Sequence, residues 1–224
     1  MHWAPNCRHE VTMATRRQVD NPAKGRSPLA ALTAQAGVGG KISDAVLALV
    51  ASIPQSTEAA STTPQTRAHM LAETAARMAA GISGAAAMAP GPLGILTLLP
   101  DLVAVWRVQS QLVADIGAAY GKDAALTKEQ MLYCLFRHTA SHVTRDLVLR
   151  TGERLLVRPA TGVALQQIAA KIGVKVAQKT AGRAFARWAP IVGAIGVGGY
   201  AYYDTKKVAA NAMELFSGEF VSPA

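Results

Sequence analysis

The sequence predicts an all-α fold: a multi-helix bundle with a glycine- and proline-broken apolar hairpin and a disordered N-terminal tail. Three observations predict it. No run shows the period-2 alternation of a half-buried strand. From residue 63 onward, helix-forming stretches follow one another, each bounded by proline, glycine or a capping sequence. Two uncharged stretches, Met78 to Pro100 and Trp188 to Tyr203, are rich in the small residues that let helices approach closely. Half of the 224 residues are apolar, enough to bury the core of one domain.

Residues 1–64 mix Pro, Gly, Ser, Thr and basic side chains with little periodicity, and are expected to form a basic, largely disordered tail. Within them Ile42, Val46, Leu47, Leu49, Val50 and Ile53 make a short apolar pattern, expected to give one or two helical turns docked on the body. The domain proper is expected over 65–216, with 217–224 as a short C-terminal tail. Its removable part would then include everything up to Gln55.

Thr63-Pro64 matches an N-cap followed by proline at the first helical position, and the alanine-rich run from Gln65 to Met88 has strong helix propensity. Pro90-Gly91-Pro92 must end it. A helix over 95–120 places Ile95, Leu98, Leu102, Trp106, Val113 and Ile116 on one side and Asp101, Arg107, Gln111 and Asp115 on the other. Gly121 closes it, and Thr127-Lys128-Glu129-Gln130 is a capping box opening a helix to about Arg150. After Pro159 a basic helix is expected over 162–187, and Pro190 starts a last apolar segment that runs as helix through Val208, Ala212, Leu215 and Phe216.

Met78 to Pro100 spans 23 uncharged residues, long enough to cross a bilayer. Its four glycines and three prolines favour a buried helical hairpin first, a re-entrant membrane hairpin second and a span last. Trp188 to Tyr203, at 16 residues, is short for a span. Its Ala189/Gly193 and Ala194/Gly198 pairs, spaced by four, suit close contact with another helix.

The formal charge of +9 is unevenly placed. Arg145 to Arg187 holds nine Lys and Arg against Asp146 and Glu153, and the first 26 residues hold five against two. Such patches suit phosphate-bearing partners, whether lipid head groups or nucleic acid. The sharpest is the row Lys171, Lys175, Lys179, Arg183 and Arg187, a cationic ridge beside Ile168, Ile172 and Val176. Few aromatics lie among these charges, so the stacking platform that single strands use is missing.

Cys7 and Cys134 lie far apart and do not form a disulfide framework, which suggests a reducing compartment. The N-terminus lacks the apolar core of a secretory signal, so exposure to the cytoplasm is expected.

Pro90 to Asp123, PGPLGILTLLPDLVAVWRVQSQLVADIGAAYGKD, and Pro190 to Phe216, PIVGAIGVGGYAYYDTKKVAANAMELF, resemble the EcsC protein family. The second stretch is also similar to a related group of membrane proteins associated with small GTPases. The resemblance covers about 65–216 and implies a bacterial, mostly helical, membrane-associated protein. That family is named for the third member of an operon encoding an ABC transporter. The resemblance brings no catalytic residues and no cofactor.

Among residues that carry chemistry, Cys134, His138, His142 and Asp146 follow one another by four on the expected helix 127–150. Neighbours so spaced drift about 40° per step, close enough for the first three to reach one metal ion. Thr139 stands where a zinc-protease helix needs glutamate. The alternative is a core cysteine with histidines packed at the helix edge. Gly37 to Ser43 and Gly117 to Asp123 miss the phosphate-loop spacing, and no GxSxG elbow occurs. The expected function is therefore that of a non-enzymatic, membrane-associated accessory protein on the cytoplasmic face. A metal-dependent enzyme on the Cys134 row and a nucleic-acid-binding module are the alternatives.

Overall fold

A computed structural model describes residues 28–88, 98–122, 126–144, 147–151, 154–157, 159–186 and 190–218. Seven helices and one hairpin lie within them. They are α1 (Pro28–Ala51), α2 (Pro64–Ala87), α3 (Leu98–Ala119), α4 (Lys128–Phe136), the single turn α5 (Ser141–Thr144), β1 (Val148–Thr151), β2 (Arg154–Val157), α6 (Gly162–Ala186) and α7 (Pro190–Ser217). The fold is all-α, as expected, apart from that hairpin. Residues 1–27 of the expected tail and the turn at Pro90-Gly91-Pro92 lie outside the described residues.

Helix boundaries follow their local chemistry. Thr63 is the N-cap of α2 with Pro64 behind it, but its hydroxyl makes no capping bond. The Thr63 amide instead donates to Ser61 Oγ at 3.1 Å. At the end of α3, Gly121 takes φ +68°. The Gly121 and Lys122 amides donate back to the Ala118 and Gly117 carbonyls at 2.7 and 2.8 Å, the paired closure that a left-handed residue permits. The capping box of α4 is formed in both directions, Thr127 N to Gln130 Oε1 at 2.9 Å and Gln130 N to Thr127 Oγ1 at 3.3 Å.

The expected helix to Arg150 is corrected: α4 ends at Phe136, and a tight turn follows in which the Thr139 and Ala140 amides both return to the Phe136 carbonyl. Thr139, Ser141, Val143 and Thr144 are poor helix formers, which weakens continuation. Residues 148–157 then form an antiparallel pair in the register Val148↔Val157 to Thr151↔Arg154. Only two residues, Gly152-Glu153, separate the strands, a glycine-led link suited to a hairpin. Four-residue strands are too short to show alternation, which is why periodicity missed them.

The second correction concerns the N-terminal boundary. The apolar pattern from Ile42 to Val50 belongs to a helix of 24 residues, with Ile53 just beyond its end. Ile42, Val46 and Val50 are 2% exposed or less and sit in the main core with Ile168, Ile172 and Val176 of α6. Gly37, Gly39 and Gly40 are glycines inside a helix, and Gly39 lies against Gly173 of α6, the glycine that the packing requires. α1 and α6 cross so closely that a methyl group on Gly173 would lie 2.3 Å from the Gly39 carbonyl oxygen. The link from α1 to α2 also packs down, Ser56 Oγ donating to Asp115 Oδ1 at 2.7 Å and the Ser61 amide to the Ala119 carbonyl at 2.9 Å. It contacts part of the polar side of α3, where Gln111 and Asp115 are half-buried and Arg107 is exposed; Asp101 on the same side is buried against Ser83 of α2.

α2 and α3 pack as the expected hairpin, and both pack on α7. Trp106 of α3 meets Phe136 of α4 edge to face, ring centres 5.3 Å apart. α7 runs unbroken for 28 residues along α2, with Gly198 against Ala80 and Gly84 against Ala194. Polar side chains add to that seam: the Tyr202 hydroxyl and Lys206 Nζ donate to Glu73 Oε2 at 2.8 and 3.3 Å. The Tyr202 bond, chiefly, holds the Glu73 carboxyl below its ordinary range.

Removing residues 1–51 exposes the faces that Ile42, Val46 and Val50 cover, each such burial being worth about 1.5–3 kcal/mol. Against a net stability of about 5–15 kcal/mol, that loss should lower the melting temperature sharply or abolish cooperative unfolding, read by circular dichroism. A truncated chain that melts like the parent would show that α1 is an appendage.

Candidate functional site

Where α2, α3, α4 and α7 meet, polar side chains point inward. Asp204 of α7 is at the centre, 15% exposed at its side chain. Its Oδ1 lies 2.8 Å from His138 Nε2, and its Oδ2 accepts from Gln109 Nε2 at 3.0 Å. Gln109, fully buried, also donates to Thr205 Oγ1 at 3.1 Å. Beside this group Ser83 Oγ of α2 donates to buried Asp101 Oδ1 at 3.0 Å. A cavity of about 40 Å³ runs between the two carboxylates, with Thr139, Lys179 and Tyr200 also in its wall. Space of that size suits a water molecule or two and no organic substrate.

The His138–Asp204 pair has half of a catalytic relay. In such a relay the second ring nitrogen faces a nucleophile. His138 Nδ1 is instead buried with no hydrogen-bond partner among the described residues, so no hydroxyl or thiol stands where it would be activated. The arrangement fixes α3 and α4 on α7. Sequence reasoning missed Asp204 and Gln109 because their partners lie 66 and 95 residues away along the chain.

The row Cys134, His138, His142 and Asp146 is not on one helix. Cys134 is wholly buried in α4, where desolvation pushes its thiol well above the ordinary value, against the thiolate a metal needs. His138 lies past the end of α4 and is engaged by Asp204, His142 is exposed on α5, and Asp146 lies outside the described residues. Among the described residues no group of three His, Cys, Asp or Glu could hold a metal ion.

The basic row divides differently. Lys171, Lys175 and Lys179 are exposed on α6, and none has an ion-pair or hydrogen-bond partner among the described residues. The side chain of Arg183 and all of Arg187 lie outside the described residues. Ile168, Ile172 and Val176, expected as an apolar edge beside the lysines, face the core instead. Among the described residues, the large apolar side chains exposed on this helix are Val163 and Val174, 64% and 49% accessible.

With fold and site in view, the molecule is an all-α protein with three lysines, Lys171, Lys175 and Lys179, exposed along α6. Residues 38–217 match the model of the EcsC protein family, and the chain belongs to that family. The match begins inside α1, in keeping with the packing of that helix in the core. Comparison with curated proteins gave no match, and comparison with solved structures gave none.

In a Cys7→Ser variant, Cys134 is the only thiol. Its burial predicts that a maleimide or an aromatic disulfide reagent labels it at the rate of unfolding, with urea accelerating the reaction steeply. Rapid labelling of the native protein would contradict its place in the core.

Proposed function

We propose that this EcsC-family protein is a binding protein of the membrane surface, an accessory that contacts anionic lipid, or a membrane protein beside it, through α6 at the cytoplasmic face of a bacterial membrane. The observation that carries this is the exposed charge of Lys171, Lys175 and Lys179 on that helix. Its 25 residues include Lys171, Lys175, Lys179 and Arg183 and no Asp or Glu. A solvated helix face generally interleaves both signs, whereas one sign left unpaired suits a surface of the opposite sign. Val163 and Val174 add apolar area beside the lysines. Among the described residues no helix is long and apolar enough to cross a membrane, and the contact proposed is with the surface.

Each basic group near an anionic leaflet contributes about 1 kcal/mol. Replacing Lys171, Lys175 and Lys179 together by glutamine should therefore weaken partition onto phosphatidylcholine vesicles doped with phosphatidylglycerol by about a hundredfold. Binding of the parent should fall with added salt, because the Debye length shrinks to about 3 Å at 1 M. Equal affinity for neutral and anionic vesicles, or retention on duplex DNA but not on vesicles, would contradict the proposal.

A further inference from the structure

We propose that the pocket between the 139–143 turn and α6 is a binding site for a phosphate ester, the head group of an anionic phospholipid or a soluble phosphate compound. The pocket encloses about 460 Å³, within the usual range of small-ligand sites at about 300–1,000 Å³. One wall presents Thr139, Ser141 and His142, the other Lys175, Gln178 and Lys179. All six can donate hydrogen bonds, and among the described residues of the lining there is no carboxylate. The side chains of all six make no hydrogen bond or ion pair among the described residues, so their donors are uncommitted. A floor of buried Ala140 and Val143 suits the carbon skeleton of an ester.

Hydroxyls, an amide and two ammonium groups converging from separate elements match the many acceptor lone pairs of a tetrahedral phosphate, for which lysine acts as a point charge. Lys175 and Lys179 are one helical turn apart on α6 and reach the pocket together. Thr139 and Lys179 also line the small inner cavity with Asp101 and Asp204. Those two carboxylates accept bonds from Ser83 and from Gln109. Lys171, on the same helix and equally exposed, does not line the pocket, which separates a site from a merely charged face. The pocket rests on the membrane-surface proposal only where the lipid is the source of the phosphate.

The test uses the full-length chain, Ser141→Ala, Lys175→Gln and the control Lys171→Gln, each checked for an unchanged melting curve; all three side chains are exposed. Two probes separate the sources: glycerol 3-phosphate followed by phosphorus NMR, and flotation with phosphatidylcholine vesicles carrying either phosphatidic acid or, at matched charge, oleate. The proposal expects glycerol 3-phosphate to bind and phosphatidic acid to be preferred over oleate. Ser141→Ala, which changes no charge, and Lys175→Gln should each weaken the phosphate-dependent binding about fivefold or more, while Lys171→Gln leaves the glycerol 3-phosphate titration unchanged. Binding of glycerol 3-phosphate without vesicle binding would keep the pocket and remove the membrane proposal. Vesicle binding that ignores head-group chemistry, with Lys171→Gln as damaging as Lys175→Gln and Ser141→Ala silent, would overturn the pocket and leave the surface proposal standing.

Discussion

The close approach of α2 and α7 is the contact on which the rest of the structure depends. A methyl group on Gly198 would lie 2.9 Å from the Ala80 carbonyl oxygen, so these two backbones meet with no side chain between them. Glycine is costly inside a helix, by about 0.5–1 kcal/mol relative to alanine, and close approach is what offsets that cost. The buried face of α2 is made of small residues, Ala68, Ala72, Ala76, Ala79, Ser83 and Ala87. Small residues give little area each, but a long, dense contact gathers many weak dispersion interactions. The position of α7 then decides where Asp204, Thr205, Asn211 and Glu214 sit. Each is bonded to a neighbouring element: Asp204 and Thr205 to Gln109, Asn211 Nδ2 to the Cys134 carbonyl, and Glu214 to Arg137.

A second glycine crossing does for the basic helix what the first does for the bundle. Gly39 and Gly173 bring α1 and α6 into backbone contact, which turns Ile168, Ile172 and Val176 toward the core. On a 3.6-residue period, residues 171, 175 and 179 then fall on the outer side. Charge on the surface is thus set by apolar packing below it. Lys122 shows a cation in a structural part instead: its Nζ donates to the Phe216 and Gly218 carbonyls at 2.8 and 2.7 Å, closing the end of α7 where helix carbonyls lack partners.

Local signals in the sequence were legible where a few neighbouring residues decide the outcome. The Thr127/Gln130 box, Gly121 and Pro64 are of that kind, and so is the helix from Gly162, because caps and turns act over about four residues. Gly198 was legible too, since its spacing from Ala194 implied helix contact, which the structure shows. What stayed hidden depends on residues far apart. Gly37, Gly39 and Gly40 fell in the expected tail because nothing nearby reveals that Gly39 will meet Gly173. The contacts of Gln111 and Asp115 on the polar side of α3 were hidden because they come from residues 55 and 56 of an unpatterned link. Of the candidate site residues, Lys175 and Lys179 were visible as a charged row, and His142 as part of a metal row. Their common pocket with Thr139 and Ser141 was not, because it depends on α4 stopping at Phe136.

Two adjacent glycines of α7 test the central constraint with a built-in control. Gly198 meets the Ala80 carbonyl, whereas a methyl group on Gly199 would have nothing within 4 Å. Melting curves of Gly198→Leu and Gly199→Leu, measured beside the parent, separate close packing from simple tolerance of side chains. Overpacking at Gly198 should cost about 1–3 kcal/mol, a fall of roughly 3–10 °C for a chain of this size, while Gly199→Leu should hold or raise the melting temperature through better helix propensity. Equal melting temperatures for the two variants, or a larger loss at Gly199, would contradict an α2–α7 seam built on backbone contact.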